Sequence, residues 1–142
     1  MKTLRRVLES KGDQIFSIGP DASVFDALGE MSERGVGALI VLEDGKVIGI
    51  FSERDYARKI ILVGKSSHET PVRDIMTARV VCARADLTLE ECLALMTDKR
   101  ILHLPVMDGE DLVGVVSIGD LVKGIIEDQR FRISQLESYV SG

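Results

Sequence analysis

The chain carries one pattern twice, at constant spacing and without a gap. Residues 16–60 align with residues 81–125 at an offset of 65, and nine of the 45 paired positions are identical. The identities are Asp21/Asp86, Leu28/Leu93, Met31/Met96, Leu39/Leu104, Val41/Val106, Gly49/Gly114, Ser52/Ser117, Asp55/Asp120 and Ile60/Ile125. Others are conservative exchanges such as Ser23/Thr88, Glu33/Asp98 and Val36/Ile101. A register held this long marks a duplicated structural unit, so whatever one copy folds into, the other does too.

Each copy predicts the same order of elements. Asp21 or Asp86, then Ser23 or Thr88, are residues that cap a helix. Val24, Ala27, Leu28 and Met31 follow at helical spacing, as do Leu89, Cys92, Leu93 and Met96. A strand over Ala38–Leu42 or Leu104–Met107 leads into a turn at Asp44-Gly45 or Asp108-Gly109, a hairpin signal. The returning strand, Val47–Phe51 or Leu112–Val116, is apolar throughout, as a strand buried on both faces would be. A second helix begins near Ser52 or Ser117. The unit is therefore β-α-β-β-α.

A unit of about 45 residues is too small for a comfortable core of its own. The expected fold class is α+β, with two β-α-β-β-α repeats packed through their sheets into one pseudo-twofold module. The expected divisions are a lead-in helix over 1–15, a first repeat over 16–66, a linker helix over 67–80, a second repeat over 81–128 and a C-terminal helix over 129–142. The linker's TPVRDIMT echoes TLRRVL near the start, with Leu4 over Val72, Val7 over Ile75 and Leu8 over Met76. Each repeat is thus preceded by a lead-in helix. Phe131, Ile133, Leu136 and Val140 recur at near-helical spacing, which predicts a final helix that packs on the pair or on another subunit.

Composition narrows the function classes. With 45% hydrophobic and 29% charged residues the chain is globular. No apolar run approaches the roughly 20 residues that span a bilayer, and MKTLRRVLESKGD lacks the apolar segment of a signal peptide. A net charge of −5 argues against non-specific binding to nucleic acid. Aromatic residues are scarce and tryptophan is absent, which disfavours base-stacking platforms. Cys82 and Cys92 lack metal-ligand spacing, and a reducing cytoplasm with both thiols free is the simplest setting. His68 and His103 have no partners arranged for zinc. GKS at 64–66 fails as a phosphate loop because the required glycine is Lys59. GVG at 35–37 is not a dinucleotide fingerprint. No nucleophile elbow or nucleophile–His pair is present, so no catalysis and no metal are expected.

Several short stretches then occur in order, twice: GIFSERD and GVVSIGD, the hairpin HLPVMDGEDLVG, and the lead-in VRDIMT. Together they resemble a tandem cystathionine-β-synthase (CBS) domain pair over about residues 3–128. The resemblance implies a stand-alone regulatory module that binds adenine nucleotides (AMP, ATP or NAD(H)) in clefts between the repeats. It also implies a homodimer, an unidentified target protein, and neither a membrane nor a nucleic-acid partner. The alternative is a ligand-independent dimerisation or scaffold domain.

Two readings of Ser-x-x-Asp stand side by side. Ser at a helix N-cap with an acid three residues on is a capping box, worth about 1 kcal/mol without any ligand. A helix N-terminus also suits phosphate, and an acid near it can accept ribose hydroxyls. The resemblance assigns Ser52 and Ser117 to phosphate, and Asp55 and Asp120 to ribose. It further implies an adenine slot from Ser17, Ile18 and Pro20, or Cys82 and Ala83. The rest of that slot comes from Val36, Gly37 and Ala38, or Leu102, His103 and Leu104. On their chemistry alone these apolar residues read equally well as core. Gly37 permits close backbone approach, whereas Leu102 crowds the same place. Arg54 is either a bidentate phosphate clamp or a solvated arginine beside Glu53. Its counterpart is Gly119, with His103 a partial basic replacement, so the two sites are expected to be unequal.

Overall fold

A computed structural model describes residues 2–12 and 14–141 and divides the chain into two compact units. Residues 15–80 form one unit, and residues 1–14 with 81–142 form the other. The 15–80 unit contains β1 (Ser17–Ile18), α2 (Val24–Arg34), β2 (Ala38–Glu43), β3 (Lys46–Ser52), α3 (Glu53–Tyr56) and α4 (Val72–Ile75). The other contains α1 (Leu4–Lys11), β4 (Ala83–Arg84), α5 (Leu89–Lys99), β5 (His103–Asp108), β6 (Asp111–Ser117) and α6 (Ile118–Ser141). The β-α-β-β-α order expected from the repeat is present in both.

The long helices start where the capping chemistry says they should. Ser23 Oγ accepts the Asp26 N–H at 3.0 Å, and Thr88 with Glu91 forms a full capping box. Helix α2 ends at Gly35 in the left-handed region (φ 66°), and Arg100 takes the same conformation (φ 56°) after α5. Each unit has a three-stranded sheet, β1-β2-β3 or β4-β5-β6, with a parallel first pair and an antiparallel hairpin. The hairpins share a bulge: Val41 pairs Gly49 but Leu42 pairs Val47, and Val106 pairs Gly114 but Met107 pairs Leu112. The turns differ. Asp44 and Gly45 both have positive φ, as a type I′ turn requires. In the second hairpin Asp108 still pairs Asp111, so the turn is Gly109-Glu110, one residue later than the Asp-Gly dipeptide suggests.

The cores follow the helical and strand spacings. Val24, Ala27 and Met31 of α2 are buried with Leu39, Val41 and Phe51, and Leu89, Cys92 and Met96 of α5 with Leu104, Val106 and Val116. The lead-in helices are exchanged with respect to sequence order. Leu4, Val7 and Leu8 of α1 belong to the core of the second repeat, and Val72 and Ile75 of α4 to that of the first. Backbone bonds fix α1 there, with Leu4 N–H to Leu87 O at 2.9 Å and Arg5 N–H to Ala85 O at 3.0 Å. The linker is helical only over Val72–Ile75, because Pro71 precedes it and Met76 is already extended.

The C-terminal segment is not a separate helix. Helix α6 runs unbroken over 24 residues, since no glycine or proline follows Gly124 within it to stop it. Among the described residues, no helix is long and apolar enough to cross a membrane.

Candidate functional site

In both units the Ser-x-x-Asp segment lies where the last strand runs into a helix. The hairpin register puts Ala38 directly opposite Ser52, and His103 directly opposite Ser117. Backbone bonds close the same corner: Glu53 N–H donates to Gly37 O at 3.1 Å, and Ile118 N–H to Leu102 O at 3.0 Å. Gly37, Ala38, Ser52 and Asp55 are thereby gathered at one end of the first sheet, and Leu102, His103, Ser117 and Asp120 at the same end of the second.

The remaining sequence candidates are placed less uniformly. Ser17 and Ile18 run alongside Ile40 and Val41, and Ala83 alongside Val106, further up the sheets. Pro20 is buried towards the hairpin end, where its carbonyl accepts the Arg73 N–H at 2.8 Å. Val36 is half-buried against the first core, and Leu104 is wholly buried in the second. Cys82 is exposed just before β4. Arg54 is exposed on the first turn of α3. Cys92 is core, and burial pushes its thiol up to about 11.

Both boxes are closed on themselves. In the first, Ser52 N–H donates to Asp55 Oδ2 at 3.0 Å, and Asp55 N–H donates to Ser52 Oγ at 3.3 Å. The Ser52 hydroxyl also reaches Asp55 Oδ2 at 3.1 Å. In the second, Ser117 N–H donates to Asp120 Oδ2 at 2.8 Å, and Asp120 N–H to Ser117 Oγ at 3.1 Å. Two of the first three amides of each helix are thus committed, to the serine and to the Gly37 or Leu102 carbonyl. A phosphate at this corner would rely on side chains more than on helix N–H groups.

Each acid also holds a lysine, recruited from a different place. Asp55 Oδ1 accepts from the Thr77 hydroxyl at 3.0 Å and lies 3.1 Å from the Lys59 ammonium, one helical turn on. Lys59 is anchored as well to Ile75 O at 3.0 Å. Gly124 occupies the position of Lys59 in the second repeat. There Asp120 pairs with Lys11, at the end of α1, which also donates to Val115 O at 2.8 Å. The Asp55 side chain is 8% exposed and that of Asp120 25%. Sequence reasoning did not single out Lys59, Thr77 or Lys11. The Asp55–Lys59 spacing of four was a readable signal; the Lys11–Asp120 pair, 109 residues apart, had none.

Burial raises the Asp120 carboxyl, but the Lys11 ammonium and the Ser117 backbone bond together outweigh it and hold the group below its ordinary value. A depressed folded-state value means this acid stabilises the fold above the unfolded-state value of about 3.9, and that the stabilisation is lost as pH falls through the folded-state value. Lys11→Met is therefore expected to move the Asp120 titration upward, so that the loss begins at higher pH. Carboxyl NMR titration of both proteins checks this; an unmoved Asp120 would show that Lys11 does not control it.

Comparisons with known proteins agree with this duplicated architecture. The model of the CBS domain family matches residues 11–62 and 72–127. The mitochondrial CBS domain-containing protein CBSX3 of Arabidopsis thaliana is 37% identical, over 99% of this chain and 72% of its own length. A solved structure from Burkholderia ambifaria, described provisionally as a signal-transduction protein with CBS domains, is 44% identical with a TM-score of 0.86. It covers 90% of this chain and 96% of its own. A CBS-domain-containing protein of Agrobacterium tumefaciens is 35% identical with a TM-score of 0.83, over 87% of this chain and 98% of its own.

Proposed function

The chain belongs to the CBS-domain family, and on that premise we propose that it is a non-catalytic regulatory module for adenine nucleotides. AMP, ATP or NAD(H) would occupy the corners around Ser52 and Asp55, and around Ser117 and Asp120. The observation that carries the reading is that Asp55 Oδ1 is held by a hydroxyl, that of Thr77. A ribose hydroxyl presents the same chemistry and can take the same place.

That exchange supplies a coupling. Thr77 follows α4 and is bridged through its backbone to Ile50. Ribose on Asp55 would release the Thr77 side chain and so report occupancy to the segment between the repeats, and through it to the geometry of a homodimer. A ligand shifts such an equilibrium only by its differential affinity for the two states. With two free thiols, the proposed setting is the cytoplasm. The target protein is unidentified.

The two corners differ in charge. Arg54 stands two residues after Ser52, where the second repeat has Gly119, so the first corner suits the more highly charged phosphate chain. Ligand-independent scaffolding is the second reading, and the observation favouring it is that both boxes are internally satisfied.

Calorimetry and thermal shift with AMP, ADP, ATP, NAD, NADH and S-adenosylmethionine separate the two. A specific ligand at about 100 times its dissociation constant stabilises by roughly 2.7 kcal/mol. Asp55→Asn and Asp120→Asn should weaken binding unequally, Arg54→Ala should cost more for ATP than for AMP, and Thr77→Val should tighten binding by removing the competing hydroxyl. No shift with any nucleotide would leave the scaffold reading in place.

A further inference from the structure

Helix α6 meets its own core through Leu121, with Gly124 approaching Leu89, and then continues to Ser141 with a row of apolar side chains in solvent. Val122, Ile126, Ile133, Leu136 and Val140 are between 42% and 83% exposed. With exposed Gln129 between them, they fall at intervals of four, three, four, three and four residues. That is a heptad seam, on a different side of the helix from Leu121 and Gly124.

We propose that this seam forms a parallel, in-register, two-stranded coiled coil with a second copy of the chain. This rests on the homodimer reading above and names its surface and orientation. Ile126, Ile133 and Val140 fall at a positions and Leu136 at a d position. β-Branched residues at a with leucine at d favour two parallel strands. Gln129 is the polar d residue. In the parallel register it meets the same residue of the second copy, and the two amides can bond each other; antiparallel packing would set it against an apolar a residue, Ile133 where the whole seam pairs. The flanking charges agree, because Arg132 at g faces Glu137 at e of the second copy, twice by symmetry. Arg132 now lies 3.3 Å from Asp128 of its own helix, with its own side chain 56% exposed and that of Asp128 21%.

A free peptide of two heptads would be marginal as a helix. Here the folded unit already anchors the first turns of α6, so association need not nucleate the helix.

Sedimentation equilibrium of the full chain across a concentration series tests the proposal, with circular dichroism as the control for folding. The wild type is expected to dimerise, and Leu136→Glu to raise the dissociation constant at least ~10-fold, with the same melting curve as the wild type at concentrations where both are monomeric. Arg132→Glu should weaken the dimer, and adding Glu137→Arg should restore it. In a Cys82→Ser background, Val140→Cys should yield a disulfide-linked dimer, since facing a residues lie within the roughly 6 Å that a disulfide spans. In an antiparallel seam the two thiols would be displaced by at least ~16 Å along the axis. A monomeric wild type would overturn both the homodimer reading and this one. A dimer that Leu136→Glu leaves intact, or one that Val140→Cys does not link, would overturn this one alone.

Discussion

Asp55→Ala is expected to destabilise the protein by about 2–3 kcal/mol without any ligand, and Asp120→Ala by clearly less. The asymmetry follows from burial. Asp55 accepts from the Ser52 backbone, the Ser52 and Thr77 hydroxyls and the Lys59 ammonium, and as a whole residue it is only 6% exposed. Removing the carboxylate takes away the Asp55 half of the α3 capping box, while the Ser52 cap on the Asp55 N–H remains. It also leaves the half-buried Ser52 N–H without its acceptor, at about 1–3 kcal/mol for a buried orphan, whereas the exposed Thr77 hydroxyl can turn to water and Lys59 keeps the Ile75 carbonyl. Asp120 is more exposed, so water can replace what its truncation removes. Urea unfolding with unchanged slope would register the difference as a shift in midpoint. Equal, small losses at both positions would mean that the Asp55 site is as open as its counterpart. The prediction also bears on binding experiments, because nucleotide affinities should be compared through Asp55→Asn, which keeps the shape and an acceptor, rather than through alanine.

The local elements were legible in the sequence because they are set by local periodicity. The helices at Val24 and Leu89 and the paired strands could be placed from apolar spacing and caps, and the repeat then made Ser52 and Asp55 stand out from the varying residues around them. The turn at Gly109 was displaced by one residue, because Asp-Gly is a strong hairpin signal but the pairing of Asp108 with Asp111 wins. What could not be read was which repeat each lead-in helix joins. Leu8 and Met76 present similar apolar faces to similar glycines, so the pattern fits either pairing, and only the folded topology chooses. Of the lysines that hold the two acids, Lys59 was readable from its spacing of four, whereas Lys11 was hidden for the same reason, because it arrives on a lead-in helix.

Gly114→Val should destabilise the unit that contains α1 by about 1–3 kcal/mol, through overpacking rather than backbone strain. A β-carbon built on Gly114 would lie 2.6 and 2.8 Å from the two methyl carbons of Leu8 and 3.2 Å from its γ-carbon. Leu8 is 7% exposed and packed among Leu4, Val7, Val116 and Leu121, so its branch has little room to retreat. The glycine repeated at 49 and 114 is thus explained by the close approach of a lead-in helix, without reference to a ligand. Leu8→Ala alone should cost about 2–4 kcal/mol as a core truncation. Combined with Gly114→Val it should cost less than the sum, by about 1 kcal/mol or more, because the valine fills space that the leucine vacates. Strict additivity in that double-mutant cycle would sink the account. Gly49 provides the contrast: its nearest obstacle is the flexible thioether of Met76, with the Thr77 carbonyl at 3.1 Å, so Gly49→Ala should be absorbed more easily. The Gly114 substitution has a further consequence at the site. Lys11 sits one turn beyond Leu8, so loosening α1 withdraws the ammonium from Asp120. Its carboxyl should then titrate higher, as in Lys11→Met, although the substitution lies six residues away in the chain.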